Sequence, residues 1–421
     1  MKFSAQLDVN VVAHESDDEV AVLLDLAAPS ASTDQQRPPA SLQIVLDRSG
    51  SMAGPPLDGA LKALAGLVQR LDSQDNFGLV AFDDTAQVVV PAGPLTNKAH
   101  VLGLISALRP GGLTDLSSGY LRGLQELRRV VGDSGGTLLL ISDGHVNAGV
   151  SEPDKLGDLA RGAYGAGLTT STLGYGLDYD ETLLTAITRG GSGNHHFAQD
   201  PDAAGAAISS EVTGLLSKSI QAASLLVHCE PSVQLWRLYN DLPCAQVGPS
   251  EVMIELGDLY VEEERKILLK FKVPAMPSLG LALVAKLQLR YVELPDLLEQ
   301  VVTIPVTVNV VPGDQAAGRT VDPTVHTEVL FQEAQHSKRL ASEALELGDR
   351  ETAKRLLDGA VDSLEQANLT VPADLREDLV IEVDALMMIS EQVDLRDTSL
   401  TSKMTRASYH DKNRKRGRRT E

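Results

Sequence analysis

At 421 residues the chain is too long for one ordinary hydrophobic core, and about two to four domains are expected. A composition of 43% hydrophobic and 23% charged residues excludes a disordered or fibrous chain. The formal net charge of −21 conceals a reversal: residues 403–421 carry eight basic and two acidic side chains, which leaves −27 on the first 402, a body that repels nucleic acid and anionic membrane at long range.

The opening MKFSAQLDVNVVAHESDDEV has neither the basic start nor the continuous apolar stretch of a secretory leader, and no run reaches the roughly 18 apolar residues of a membrane span. Both features point to a cytoplasmic protein with no membrane partner. Cys229 and Cys244 are too few for a disulfide framework or a thiolate zinc site, and they read as small core residues.

Residues 1–37 begin with two alternating segments, FSAQLDVNVVA and EVAVLLDLAA, joined by a polar turn at residues 14–18, and predict a β-hairpin. From 38 to 217 the pattern changes. Continuous apolar runs at residues 42–46, 77–82, 88–90, 138–141 and 168–173 read as strands buried on both faces. Between them Leu57, Leu61, Leu64, Val68 and Leu71, and later Leu121, Leu124, Leu127 and Val131, recur at helical spacing. Strand and helix in alternation predict a doubly wound, mostly parallel α/β sheet. Residues 218–313 lose helical periodicity and supply six β-rich segments, which with the N-terminal hairpin make enough strands for a β-sandwich. The α/β domain is thus expected to be inserted into the sandwich. Residues 319–393 turn helical, with Ala353, Leu357, Ala360, Val361 and Leu364 in one apolar stripe, and predict a C-terminal helical hairpin or bundle. A stretch at residues 344–360 resembles one tetratricopeptide hairpin, too little for a solenoid.

The pieces that carry chemistry lie at strand ends. Asp47-Arg48-Ser49-Gly50-Ser51 closes one buried run, Gly111-Gly112-Leu113-Thr114-Asp115 precedes a helix, and Ser142-Asp143-Gly144 closes another buried run. Two carboxylates and three hydroxyls, with no His or Cys among them, are hard oxygen donors that favour Mg²⁺ or Mn²⁺ over zinc. In an open α/β sheet such strands meet beyond their carboxyl ends, where the winding reverses.

This trio, in this order, resembles the von Willebrand factor A (VWA) family, whose metal-ion-dependent adhesion site is built from an Asp-x-Ser-x-Ser loop, a Thr and an Asp. Asp47, Ser49, Ser51, Thr114 and Asp143 match the five positions without departure, the likeness covers about residues 40–215, and the motif wording is typical of bacterial members. The resemblance implies a Rossmann-like fold and a non-enzymatic module that binds an Asp or Glu side chain of a protein partner through Mg²⁺. Several intracellular relatives work beside hexameric motors or metal chelatases, so a regulatory subunit coupled to an ATPase is the alternative function.

Other readings compete at single residues. Without a metal, Asp47 would cap the next helix and Ser49 and Ser51 would satisfy loop amides, which leaves Thr114 and Asp143 without a role. His145, two residues beyond Asp143, raises a metal-dependent hydrolase, but no nucleophile–base pair accompanies it. His195 and His196, at a strand start, read as structural. The loop at residues 50–54 lacks the Lys and the spacing of a phosphate-binding loop. Glu262, Glu263 and Glu264 read as a solvated turn. The basic end, residues 394–421, lacks apolar periodicity and is expected to be disordered and solvated; docking on an acidic surface, this chain's own body included, is a second fate. It is also the only candidate contact for nucleic acid, which so acidic a body repels.

Overall fold

The computed structural model describes residues 1–30, 37–143, 146–176, 179–369, 371, 373–395 and 398–414. The chain opens with β1 (Lys2–Leu7), β2 (Val11–Ala13) and β3 (Asp18–Ala27). An alternating segment follows: β4 (Ser41–Asp47), α1 (Pro55–Arg70), β5 (Asn76–Phe82), β6 (Ala86–Pro94), α2 (Lys98–Ser106), α3 (Leu116–Arg128), β7 (Gly136–Ser142), α4 (Pro153–Tyr164), β8 (Leu168–Tyr175), α5 (Glu181–Gly190), β9 (Ser192–Ala198) and α6 (Pro201–Leu216). Seven strands come next: β10 (Lys218–Cys229), β11 (Gln234–Leu238), β12 (Cys244–Gly248), β13 (Glu251–Tyr260), β14 (Glu264–Val273), β15 (Gly280–Glu293) and β16 (Leu298–Val311). The last described elements are α7 (Gly313–Ala317), α8 (Pro323–Glu346), α9 (Arg350–Asn368), α10 (Ala373–Leu395) and α11 (Thr398–Arg414).

The alternating segment forms one sheet in the order β6-β5-β4-β7-β8-β9, all parallel except the edge strand β6. Successive side chains of a strand point to opposite faces, so a sheet covered by helices on both sides is built of largely apolar runs. In β4, Leu42, Ile44 and Leu46 meet Leu64 and Val68 of α1, while Val45 joins Tyr120 and Leu124 of α3 on the other face. The first strand, β4, sits between β5 and β7, so the winding reverses beside it and leaves a crevice at the carboxyl ends of β4 and β7.

The sandwich packs the sheet β1-β3-β14-β11 on the sheet β12-β13-β10-β15-β16-β2, and its interior holds Val22, Leu24, Leu225, Val227, Phe271 and Leu287. The α/β domain is inserted in it, between β3 and β10. The expected N-terminal hairpin is instead three strands. The Asp8 carboxylate accepts the Val9 and Ala21 N–H groups at 2.7 and 2.8 Å, the chain turns out of the first sheet there, and β2 crosses to pair in parallel with β16 in the second. β3 is apolar on both faces because α8 covers its outer one, Val325 packing on Ala21 and Leu23.

Three further expectations are corrected. Cys244 is exposed, on the edge strand β12, because Cys244 to Gly248 pair on one side only; Cys229 is buried. Glu263 is not a solvated turn residue: it is 4% exposed and pairs at 2.7 Å with Arg265, whose guanidinium also donates to the Leu256 and Asp258 carbonyls. And the C-terminal region from 394 is not wholly without order: α11 spans 17 residues of it, with Thr401, Ser402, Thr405 and Asn413 buried. Its polar side chains find partners in the body, which compensates for the missing apolar face. Residues 415–421 lie outside the described residues.

Candidate metal-binding site

β4 and β7 run side by side, Leu46 opposite Ile141, so Asp47, the last residue of β4, and Asp143, the first beyond β7, emerge at one end of the sheet. Asp47 is fully buried; one of its oxygens accepts the Ser49 N–H at 2.8 Å and the other accepts the Ser142 hydroxyl at 2.6 Å. Ser49 is turned inward, its Oγ 3.1 Å from the Ser51 Oγ, and Ser51 donates to Asp143 Oδ1 at 2.9 Å. Four of the five sequence-identified residues thus form one continuous hydrogen-bonded cluster across two strand ends.

Thr114 is held between the two acidic loops by backbone bonds. Gly111 N–H donates to the Arg48 carbonyl at 2.6 Å and Gly50 N–H to the Gly112 carbonyl at 3.0 Å, which seats this loop against the Asp47 loop. On its other side the Thr114 N–H donates to Asn147 Oδ1 at 2.8 Å, and its carbonyl accepts the Asn147 N–H at 3.2 Å. Asp115 caps α3 by accepting the Ser118 N–H at 3.0 Å, which starts the helix directly after Thr114 and leaves Thr114 in the loop, 3% exposed. Gly111 must be glycine: a Cβ there would stand 2.0 Å from Asp83 Oδ2.

The electrostatics leave Asp47 without a cation. Burial pushes its carboxyl up, against the hydrogen bonds from Ser142 and Ser49 that favour the charged form, and the nearby Asp83 carboxylate adds to the rise. Arg48, the nearest sequence neighbour with a positive charge, turns instead to Asp83 at 2.9 Å. Among the described residues no Lys or Arg pairs with Asp47. No group of three or more His, Cys, Asp and Glu side chains converges among the described residues either, as expected of a donor set that is mostly hydroxyl. Buried, cation-free carboxylate and clustered hydroxyl oxygens fit a small hard divalent ion.

Sequence reading missed three supports: Ser142, which holds Asp47; Asp83, which draws Arg48 away; and Asn147, which fixes Thr114. An acid directly after the apolar run at residues 77–82 is the signal that could have found Asp83, because β5 ends at the same edge as β4. His145 lies outside the described residues. His195 bonds to Thr172 Oγ1 at 2.8 Å, and His196 Nε2 lies 3.1 Å from Glu211 Oε2, so both are tied into the β8–β9–α6 packing.

The von Willebrand factor type A domain family matches residues 42–210. An uncharacterised protein of Synechocystis is 27% identical over 344 residues, 79% of this chain and 80% of its own length. Human inter-alpha-trypsin inhibitor heavy chain H3 is also 27% identical, but over 38% of this chain and 19% of its own length. Among solved structures, a von Willebrand factor type A protein from Catenulispora acidiphila superposes with a TM-score of 0.71 at 17% identity, covering 90% of this chain and 88% of that one. The ArnB paralog VWA2 from Sulfolobus acidocaldarius gives 0.61 at 16% identity over 96% and 97% of the two chains. The likeness in fold therefore extends beyond the matched domain to the sandwich and helices. No described helix is long and apolar enough to cross a membrane. By this match and this likeness in fold, the chain is a protein that contains a von Willebrand factor type A domain.

Proposed function

We propose that the chain is a non-enzymatic, cytoplasmic interaction protein whose VWA domain binds Mg²⁺ or Mn²⁺ through Asp47, Ser49, Ser51, Thr114 and Asp143 and there takes an Asp or Glu side chain from a protein partner. The observation that carries this reading is the Asp47–Ser49–Ser51–Asp143 cluster, in which the buried Asp47 carboxylate has hydroxyl neighbours and no Lys or Arg partner among the described residues. The ion, when bound, supplies a positive centre that attracts a carboxylate. Everything else is done by the chain. Ser142 and the Ser49 N–H hold Asp47 in one orientation, Asn147 keeps Thr114 between the two acidic loops, and Asp83 removes the Arg48 guanidinium that would otherwise neutralise the site. Five side chains would leave a six-coordinate ion at least one open position, which a partner carboxylate would fill.

The test is partner capture from a cytoplasmic extract on immobilised full-length chain, with Mg²⁺ or with excess chelator. A partner retained in Mg²⁺, released by chelator and lost with Thr114→Ala supports the reading. Equal capture in both buffers moves docking to another surface.

A further inference from the structure

Helix α10 is apolar on two faces. Leu379, Val383, Leu386, Ile389 and Val393 are buried against the other helices, as one amphipathic stripe requires. A second stripe looks outward: Val380, Ile381, Met387 and Met388 are 44, 55, 40 and 59% exposed, and Leu395 continues it at 81%. Ile381, Met388 and Leu395 are spaced by seven residues, as are Val380 and Met387, so they lie along one side of the helix and form a seam rather than scattered exposure. Three acids share that side with the same seven-residue period, Glu377, Asp384 and Glu391, all exposed. None of the three has an ion-pair partner among the described residues.

We propose that this outer face of α10 is a docking site for a basic amphipathic helix of a partner protein, separate from the metal-binding face. The apolar pairs call for a partner with a matching apolar seam, and unbranched methionines let such a surface adapt to it. The heptad-spaced acids call for Lys or Arg flanking that seam, as e and g positions pair across coiled coils. A second copy of the chain would set acid against acid, and at −21 per chain the copies repel. The chain's own basic end, Arg414-Lys415-Arg416-Gly417-Arg418-Arg419, has no apolar residue to lay over the methionines.

The test uses full-length protein and a fluorescent three-heptad peptide with Leu at the a and d positions and Lys at e and g, beside a peptide of the same composition with its leucines spread around the helix. Fluorescence anisotropy at about 150 mM salt should show binding of the first peptide at least tenfold tighter than of the second. The double variant Ile381→Asp, Met388→Asp should lose that preference while its circular dichroism and melting match the wild type, since both side chains are exposed. Changing Glu377, Asp384 and Glu391 to Lys should transfer the preference to a Leu peptide with Glu at e and g, a gain that misfolding cannot produce. Equal binding of the two basic peptides, an unchanged preference in the double variant, or a wild-type dimer in sedimentation that the double variant abolishes would overturn the proposal.

Discussion

Asp75 has a buried carboxylate with three kinds of partner: the Arg37 guanidinium in a two-point contact at 2.7 and 2.6 Å, the Ala40 N–H at 2.8 Å and the Asp72 N–H at 2.7 Å. Burial alone would raise its carboxyl, but these bonds outweigh burial and hold it below the ordinary carboxylate range. Asp75→Asn is expected to cost about 2–3 kcal/mol at neutral pH, because it leaves the guanidinium half-served at the entry to the α/β sheet. A lowered folded value means that this stability is fully present above the unfolded value of about 4 and is lost as pH falls through the folded one. Urea unfolding of wild type and variant should therefore differ at pH 7 and converge at the acid end; a gap that widens with acid contradicts the pairing. At this scale the sequence was partly legible. The three loops of the candidate site stood out because carboxylates and hydroxyls directly after buried runs have few structural uses. Asp83 and Asn147 did not, and Ser142 showed no role of its own within its loop, because what each does depends on which strand end lies beside it.

Helix α11 ties the three parts of the molecule together. Lys403 donates to the Tyr179 carbonyl at 3.1 Å, with its ammonium 3.8 Å from the Tyr179 ring centre and 3.8 Å from Glu181. Asn413 donates to the Tyr239 carbonyl of the sandwich at 3.0 Å and to Gln332 of α8 at 2.8 Å, and Lys412 reaches Glu382 of α10 at 2.7 Å. Asn413→Ala removes bonds on both sides at once and is expected to destabilise by about 2–4 kcal/mol, read from chemical unfolding; a loss within about 0.5 kcal/mol would show that α11 docks loosely. Glu181, buried where α11 meets α5, is pushed up to about 7 by burial, against the attraction of Arg406 and Lys403, with Glu346 adding to the rise. A raised acid favours the protonated folded state, so stability should fall as pH rises from about 4.5 to about 7 and then level off, by roughly 3 kcal/mol at most. Glu181→Gln should flatten that slope in pH-dependent melting; a slope unchanged in the variant assigns it to another group. Elements with an apolar period were readable from the sequence, β4, β7 and α9 among them. α11 was not, because most of its buried residues are polar, Thr401, Ser402, Lys403, Thr405 and Asn413, and Ser402, Lys403 and Asn413 find their partners in distant parts of the chain. β12 escaped for a related reason: an exposed edge strand has no apolar alternation to reveal it.

The whole molecule is a sandwich interrupted by its binding domain, so its first residues are structural. β3 runs between β1 and β14 and carries Val20, Val22, Leu24 and Leu26 into the sandwich core. Deleting residues 1–28 should leave bare strand edges and yield insoluble protein, whereas residues 38–217, which hold a closed pair of cores around their own sheet, should fold alone; a soluble, cooperatively melting deletion variant would contradict this. The interruption was visible as a change of hydrophobic period at both boundaries, but the crossing of β2 to the second sheet was not, since it turns on one carboxylate, Asp8, that redirects the backbone. The fold places a candidate metal site at the sheet's crevice and a second, acidic and apolar seam on α10. Isothermal titration of chelator-stripped full-length protein with Mg²⁺ and with Mn²⁺, beside the Asp47→Ala variant, tests the central claim most directly. One saturable site is expected in the wild type and none in the variant; wild-type protein that binds neither ion, or a variant that binds as well as the wild type, would contradict the metal site.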